Sequence, residues 1–173
     1  MSDGKLVKDV MLGIFEYPHI PYWYSIEQAI KVVKASFIQT KMHTEPLAVL
    51  VFDEKYNLLG TVTLRDILRG IEPLLLKVPT KTQVPEEEKK EPAIAWDSLF
   101  TQESKKLAQK PVSEIMVPIK HFVEPKDPIT KAAYLMIYYE LPILPVIEEK
   151  KKFVGIVRML EIFDVISEKI IKE

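Results

Sequence analysis

The sequence predicts an α/β protein, α+β-like in its grouping of elements, in which one βαββα-type unit is written twice. Three observations lead there. A five-residue signature recurs, since Val7-Lys8-Asp9-Val10-Met11 returns as Val112-Ser113-Glu114-Ile115-Met116. The later part of the unit recurs at one fixed spacing: Val51-Phe52-Asp53 matches Val146-Ile147-Glu148, and Leu59-Gly60-Thr61-Val62 matches Val154-Gly155-Ile156-Val157, both at an offset of 95. Within each copy, hydrophobic periodicity changes in the same order, which marks a repeated supersecondary unit.

Each copy opens on its Met signature, read as strand or coil, and then turns helical. Ser25-Ile26-Glu27-Gln28-Ala29 and Pro128-Ile129-Thr130-Lys131-Ala132 begin corresponding stretches. In the first, Ile26, Ala29, Ile30, Val33 and Phe37 follow helical spacing; in the second, Ile129, Ala132, Ala133 and Met136 do. Two short apolar runs come next, Leu47–Phe52 and Ile143–Ile147, too short for helices and rich in β-formers. Polar turns, Asp53–Asn57 and Glu148–Lys152, lead to second strands at Leu58–Val62 and Phe153–Val157, so both copies contain a hairpin. A final helix is expected from Thr63 to about Leu76, and from Met159 to Lys172 with Ile162, Val165, Ile166 and Ile170 on one stripe. The Met11 to Met116 offset is 105, so the first copy carries ten extra residues, most of them within Ala35–Pro46. One copy cannot cover its own sheet, and the two must pack on each other.

Between the copies, Pro79, Pro85 and Pro92 surround Glu86-Glu87-Glu88-Lys89-Lys90-Glu91, the composition of a solvated linker. Its later part, Trp96-Asp97-Ser98-Leu99-Phe100, suits a short helix whose aromatics cover a seam. The expected map is therefore residues 1–78 for copy one, 79–110 for the linker and 111–173 for copy two.

Composition narrows the function. Twenty-four Lys and Arg against 25 Asp and Glu give a net charge of −1, so no global field favours nucleic acid or anionic lipid. The chain has no cysteine, which excludes disulfides, thiolate nucleophiles and Cys-ligated zinc. Charges interrupt every hydrophobic run before it reaches bilayer length, and the first residues lack a signal-peptide pattern; the expectation is a cytoplasmic protein with no membrane insertion.

The paired Val-x-Asp/Glu-apolar-Met starts, the order of elements and the run Gly60-Thr61-Val62-Thr63-Leu64-Arg65-Asp66 resemble a pair of cystathionine-β-synthase-type (CBS) domains, also called a Bateman module. The resemblance covers about residues 6–77 and 111–172. It implies two repeats packed sheet to sheet about a pseudo-two-fold axis, with clefts that take adenosyl ligands such as AMP, ADP, ATP or S-adenosylmethionine. It implies binding and regulation of an effector protein still to be identified, not catalysis, with no required cofactor. Lone pairs of this kind commonly form homodimers, and two C-terminal helices offer a symmetric contact.

The same resemblance places Thr61, Thr63, Asp66 and Arg158 at the adenosyl site. In the motif Gly-x-x-Thr/Ser-x-x-Asp, the hydroxyl of Thr63 lies near ribose and phosphate and the carboxylate of Asp66 holds the ribose hydroxyls. A carboxylate can accept from two adjacent hydroxyls, and hydrogen bonds to a charged group contribute about 1.5–3 kcal/mol each. A helix starting at Thr63 also aims free N–H groups toward a phosphate. Thr-x-x-Asp at a helix start equally describes a capping box, in which nothing binds. In copy two the motif becomes Gly155-Ile156-Val157-Arg158-Met159-Leu160-Glu161. Glu161 is longer than Asp by one bond, ~1.5 Å, so any second site there is expected to be weak. Arg158 either pairs with Glu161 or turns into the cleft to neutralise a phosphate.

His19, His43 and His121 lack metal-site spacing and are assigned structural or surface roles. Tyr22-Trp23-Tyr24 reads as a seam between domains or subunits, and Asp53, Glu54, Glu148 and Glu149 as turn residues. No catalytic or metal motif is present, which leaves two readings: an adenosyl-ligand sensor, or a ligand-free structural and dimerisation module.

Overall fold

The computed structural model describes residues 4–38, 48–76 and 96–172. Most of the extra stretch in copy one, His43 and the Pro- and Glu-rich part of the linker lie outside them.

Both Met signatures form a 3₁₀ turn, Val7–Asp9 and Val112–Glu114, rather than strand or coil. In each, the Met amide closes on the carbonyl of the first Val: Met11 N to Val7 O and Met116 N to Val112 O, both 3.0 Å. Strand β1 (His19–Pro21) follows and runs parallel to Leu50–Phe52. Helix α1 (Ile26–Val33) starts on a capping box in which Ser25 Oγ accepts from Gln28 N and Gln28 Oε1 accepts from Ser25 N. Its expected stripe is present, with Ile26, Ala29 and Val33 buried, and the backbone continues as a π turn over Lys34–Ile38.

Strands β2 (Ala48–Phe52) and β3 (Leu58–Thr63) form the first hairpin. Every residue of β2 is buried, which explains its continuous apolar run. Asp53 Oδ1 accepts from the amides of Lys55 and Asn57, so this acid shapes the turn. The expected helix from Thr63 to Leu76 is two pieces, α2 (Leu64–Ile71) and α3 (Pro73–Leu76). Glu72 separates them in extended geometry, φ −131° and ψ 101°, the backbone region favoured for any residue that precedes a proline. The Glu72 side chain is buried and accepts from Phe100 N at 2.8 Å, fastening the end of the linker to the end of α2. Trp96 and Phe100 remain largely exposed; a 3₁₀ turn (Trp96–Ser98) and α4 (Gln102–Leu107) complete this segment.

Copy two supplies β4 (Val117–Pro118), α5 (Ile129–Tyr138), β5 (Ile143–Glu148), β6 (Lys152–Arg158) and α6 (Met159–Ile171). Its hairpin reproduces the first in register. Val51 opposes Gly60 and Val146 opposes Gly155, and each ladder has its irregularity at the next residue, Phe52 or Ile147. The fixed spacing in the sequence is thus a fixed β-bulge in the fold.

The start of each copy completes the other. Strand β4 pairs antiparallel with β3, placing Val117 opposite Thr61, so the first sheet has the order β1-β2-β3-β4. Leu12 likewise exchanges two hydrogen bonds with Ile156 on β6, 2.8 and 2.9 Å. Val7 N donates to Asp127 O, while Val112 N donates to Tyr24 O, which puts the Tyr22–Tyr24 segment on the seam between copies. The two cores interlock in the same way: Ile143 and Ile156 join the first, Val7 joins the second, and Phe52 meets Phe153 edge to face at 5.2 Å.

Candidate functional site

The first-copy motif ends a strand and begins a helix. Thr61 and Thr63 belong to β3, and Asp66 is in the first turn of α2. Thr63 caps the helix: its Oγ1 accepts from Asp66 N at 3.3 Å, and Asp66 Oδ2 accepts from both the amide and the hydroxyl of Thr63 at 2.8 Å. The capping box exists. It uses Oδ2, and among the described residues Asp66 Oδ1 forms no hydrogen bond.

These residues line a cavity of about 850 Å³. One wall is Thr61, Thr63, Arg65 and Asp66 of copy one; the facing wall is Val117–His121, Met136 and Tyr139–Ile143 of copy two. The crossing of β4 onto β3 makes this possible, because it sets Val117 opposite Thr61 and lays the start of copy two along the motif strand. The end of α5 makes the other contribution. Glu140 adopts φ 53°, and Leu141 N reaches back to Met136 O at 2.9 Å, an αL helix ending that turns Tyr139–Pro142 toward the cleft.

Arg158 and Glu161 are not on this cavity. Arg158 Nε donates to Glu161 Oε1 at 2.9 Å, its Nη2 donates to the same oxygen, and its amide donates to Oε2 at 3.1 Å. The pair is largely shielded, with side-chain exposures of 20% and 17%. Buried Tyr17 lies within the electrostatic reach of both, and its burial pushes the phenol up to about 12. At the position corresponding to Asp66, both oxygens of the carboxylate are therefore already held by the neighbouring arginine.

His121, expected in a structural or surface role, stands on the cavity wall, stacked on Tyr139. Lys120, Tyr139 and Glu140 were also missed. The available signal was their place in the repeat, just after the second Met signature and just before the second hairpin. His19 instead packs edge-on against Phe52. Among the described residues no group of three or more His, Cys, Asp or Glu gathers as a metal site, and no helix is long and apolar enough to cross a membrane.

Residues 112–168 match the family model described as CBS domain. The whole chain is similar in structure to the CBS-pair protein CBSX2 from Arabidopsis thaliana, at 18% identity and TM-score 0.67, covering 98% of this chain and 99% of that one. CBSX2 in complex with AMP gives a TM-score of 0.64 at 18% identity, over 96% and 98% of the two chains. The CBS domain pair of protein MJ0100 in complex with 5′-methylthioadenosine and S-adenosyl-L-methionine gives 0.59 at 20% identity, over 96% and 98%. No curated protein matches the chain by sequence. The chain carries a CBS domain in its second half and, over its whole length, has the fold of a tandem CBS-domain module.

Proposed function

We propose that this protein is a cytoplasmic regulatory sensor that binds an adenosyl ligand in the cleft lined by Thr61, Thr63 and Asp66. The observation that carries the reading is the cavity itself, which joins a ribose-type carboxylate from copy one to a largely apolar wall from copy two. Asp66 retains one oxygen for sugar hydroxyls while the other holds the helix start. Arg158, satisfied by Glu161, plays the structural part of its two alternatives, and the corresponding second cleft is weak or empty. The proposed domain map remains 1–78, 79–110 and 111–173. AMP in CBSX2 and S-adenosylmethionine in MJ0100 favour this ligand class.

A thermal-shift screen of AMP, ADP, ATP, S-adenosylmethionine and NAD tests it. A true ligand at 100 times its Kd raises stability by about 2.7 kcal/mol; no shift with any adenosyl compound leaves the ligand-free module as the function.

The proposed output passes through a homodimer. Helix α6 buries Ile162 and Val165 but exposes Ile170, together with Leu160, Phe163 and Ile171; neighbouring α5 exposes Tyr134, Ile137 and Tyr138. The expected C-terminal stripe is thus divided between the chain's own core and an outer apolar face suited to an isologous contact. Light scattering at micromolar concentration should give twice the 20.0 kDa chain mass. A monomer would remove this face from the account.

A further inference from the structure

Four aromatic rings run from the cavity to the outside of the molecule. His121 and Tyr139, both on the cavity wall, stack with centroids 3.7 Å apart and planes 18° from parallel. Tyr139 meets Tyr138 edge-on at 4.9 Å and 84°, and Tyr138 stacks on Tyr134 at 5.6 Å and 19°. Tyr134 and Tyr138 are 60% and 65% exposed. Helix α5 therefore has two sides with different duties: Met136 reaches the cavity, while Tyr134, Ile137 and Tyr138 face outward.

Aromatic side chains give a planar base a stacking surface that sugar and phosphate cannot use. Here that surface stands on the copy-two wall, across from Asp66, so a ligand whose ribose engages Asp66 would direct its base to the rings. At 3.7 Å the two rings are already in contact. A base entering between them must separate them, and one adding at an outer face competes with the existing neighbours. Tyr138 lies against Tyr139, so displacement of Tyr139 alters the Tyr138 and Tyr134 contacts.

Resting on the adenosyl reading above, we propose that the His121–Tyr139 stack is the wall that recognises the ligand's base, and that the ring series Tyr139, Tyr138, Tyr134 makes the outer face of α5 respond to occupancy. The consequence is a direct line from ligand to the surface on which a second copy would sit.

The test combines calorimetry with fluorine NMR of the full chain labelled with 3-fluorotyrosine, titrated with AMP, S-adenosylmethionine and, as a base-free control, ribose 5-phosphate. Tyr139→Leu and His121→Ala should each weaken the adenosyl ligand by roughly 5- to 100-fold, and should narrow the preference for AMP over ribose 5-phosphate. Because Tyr139 is 43% exposed, its ligand-free melting temperature should stay close to wild type; His121→Ala is the independent check. The Tyr134 and Tyr138 signals, assigned with Tyr→Phe variants, should move on saturation of the wild type. Wild-type adenosyl affinity in both variants, or unmoved Tyr134 and Tyr138 signals at saturation, overturns the inference and leaves the adenosyl site standing. A wild type that binds neither adenosyl compound overturns the site itself, and the inference with it.

Discussion

Asp66→Ala should lower adenosyl-ligand affinity by roughly 10- to 150-fold, the loss expected when hydrogen bonds worth about 1.5–3 kcal/mol to a charged acceptor disappear. The same substitution removes the acceptor for the Thr63 amide and hydroxyl, so the melting temperature should also fall, by an amount corresponding to ~0.5–2 kcal/mol for a lost cap. Glu161→Ala provides the contrast. It removes the carboxylate that Arg158 binds and should lower stability, but it lies off the cavity and should leave ligand affinity where it was. Calorimetry beside melting curves on both variants separates binding from capping. A purely structural Asp66 would show the stability loss with no specific effect on the ligand.

Gly60→Ala and Gly155→Ala should each destabilise the protein by about 1–3 kcal/mol through overpacking, or roughly 2–12 °C in melting temperature for a chain of this size. A Cβ on Gly60 would stand 2.5 Å from Val117 O and 3.3 Å from Met116 Sδ; on Gly155 it would stand 2.5 Å from Leu12 O and 3.3 Å from Met11 Sδ. The obstructing atom in both cases is a backbone carbonyl of the crossing segment. It cannot retreat without loosening the β3–β4 pairing or the Leu12–Ile156 exchange. Gly13→Ala is the control, since its nearest neighbour is a side-chain oxygen of Glu16 at 3.8 Å. If all three variants melt together, the interlock is not what the two repeated glycines serve. Gly60→Ala should also weaken ligand binding, because Val117 lines the cavity.

These two sets of variants probe what the sequence made legible to different degrees. The hairpins could be read in advance because short apolar runs of β-formers, turn residues and the offset of 95 are local signals, and the matched irregularities at Phe52 and Ile147 share that offset. Thr63 and Asp66 were legible as a strand-to-helix motif, and the structure places them on the cavity. The facing wall was not legible. It depends on β4, only two residues long, a pairing too short to leave a periodic pattern and made between distant parts of the chain. The break of the helix after Ile71 did have a signal, Pro73, which the apolar spacing outweighed. For Arg158, the sequence allowed a helix-surface partner or a phosphate, and only the three-dimensional arrangement shows Glu161 taking it.

The asymmetry between the two motif copies is the central claim, and the stoichiometry of ligand binding to the wild type tests it most directly. Titration calorimetry with the tightest adenosyl ligand from the thermal screen should give one site per chain. Two equivalent sites per chain, or none, would contradict the account.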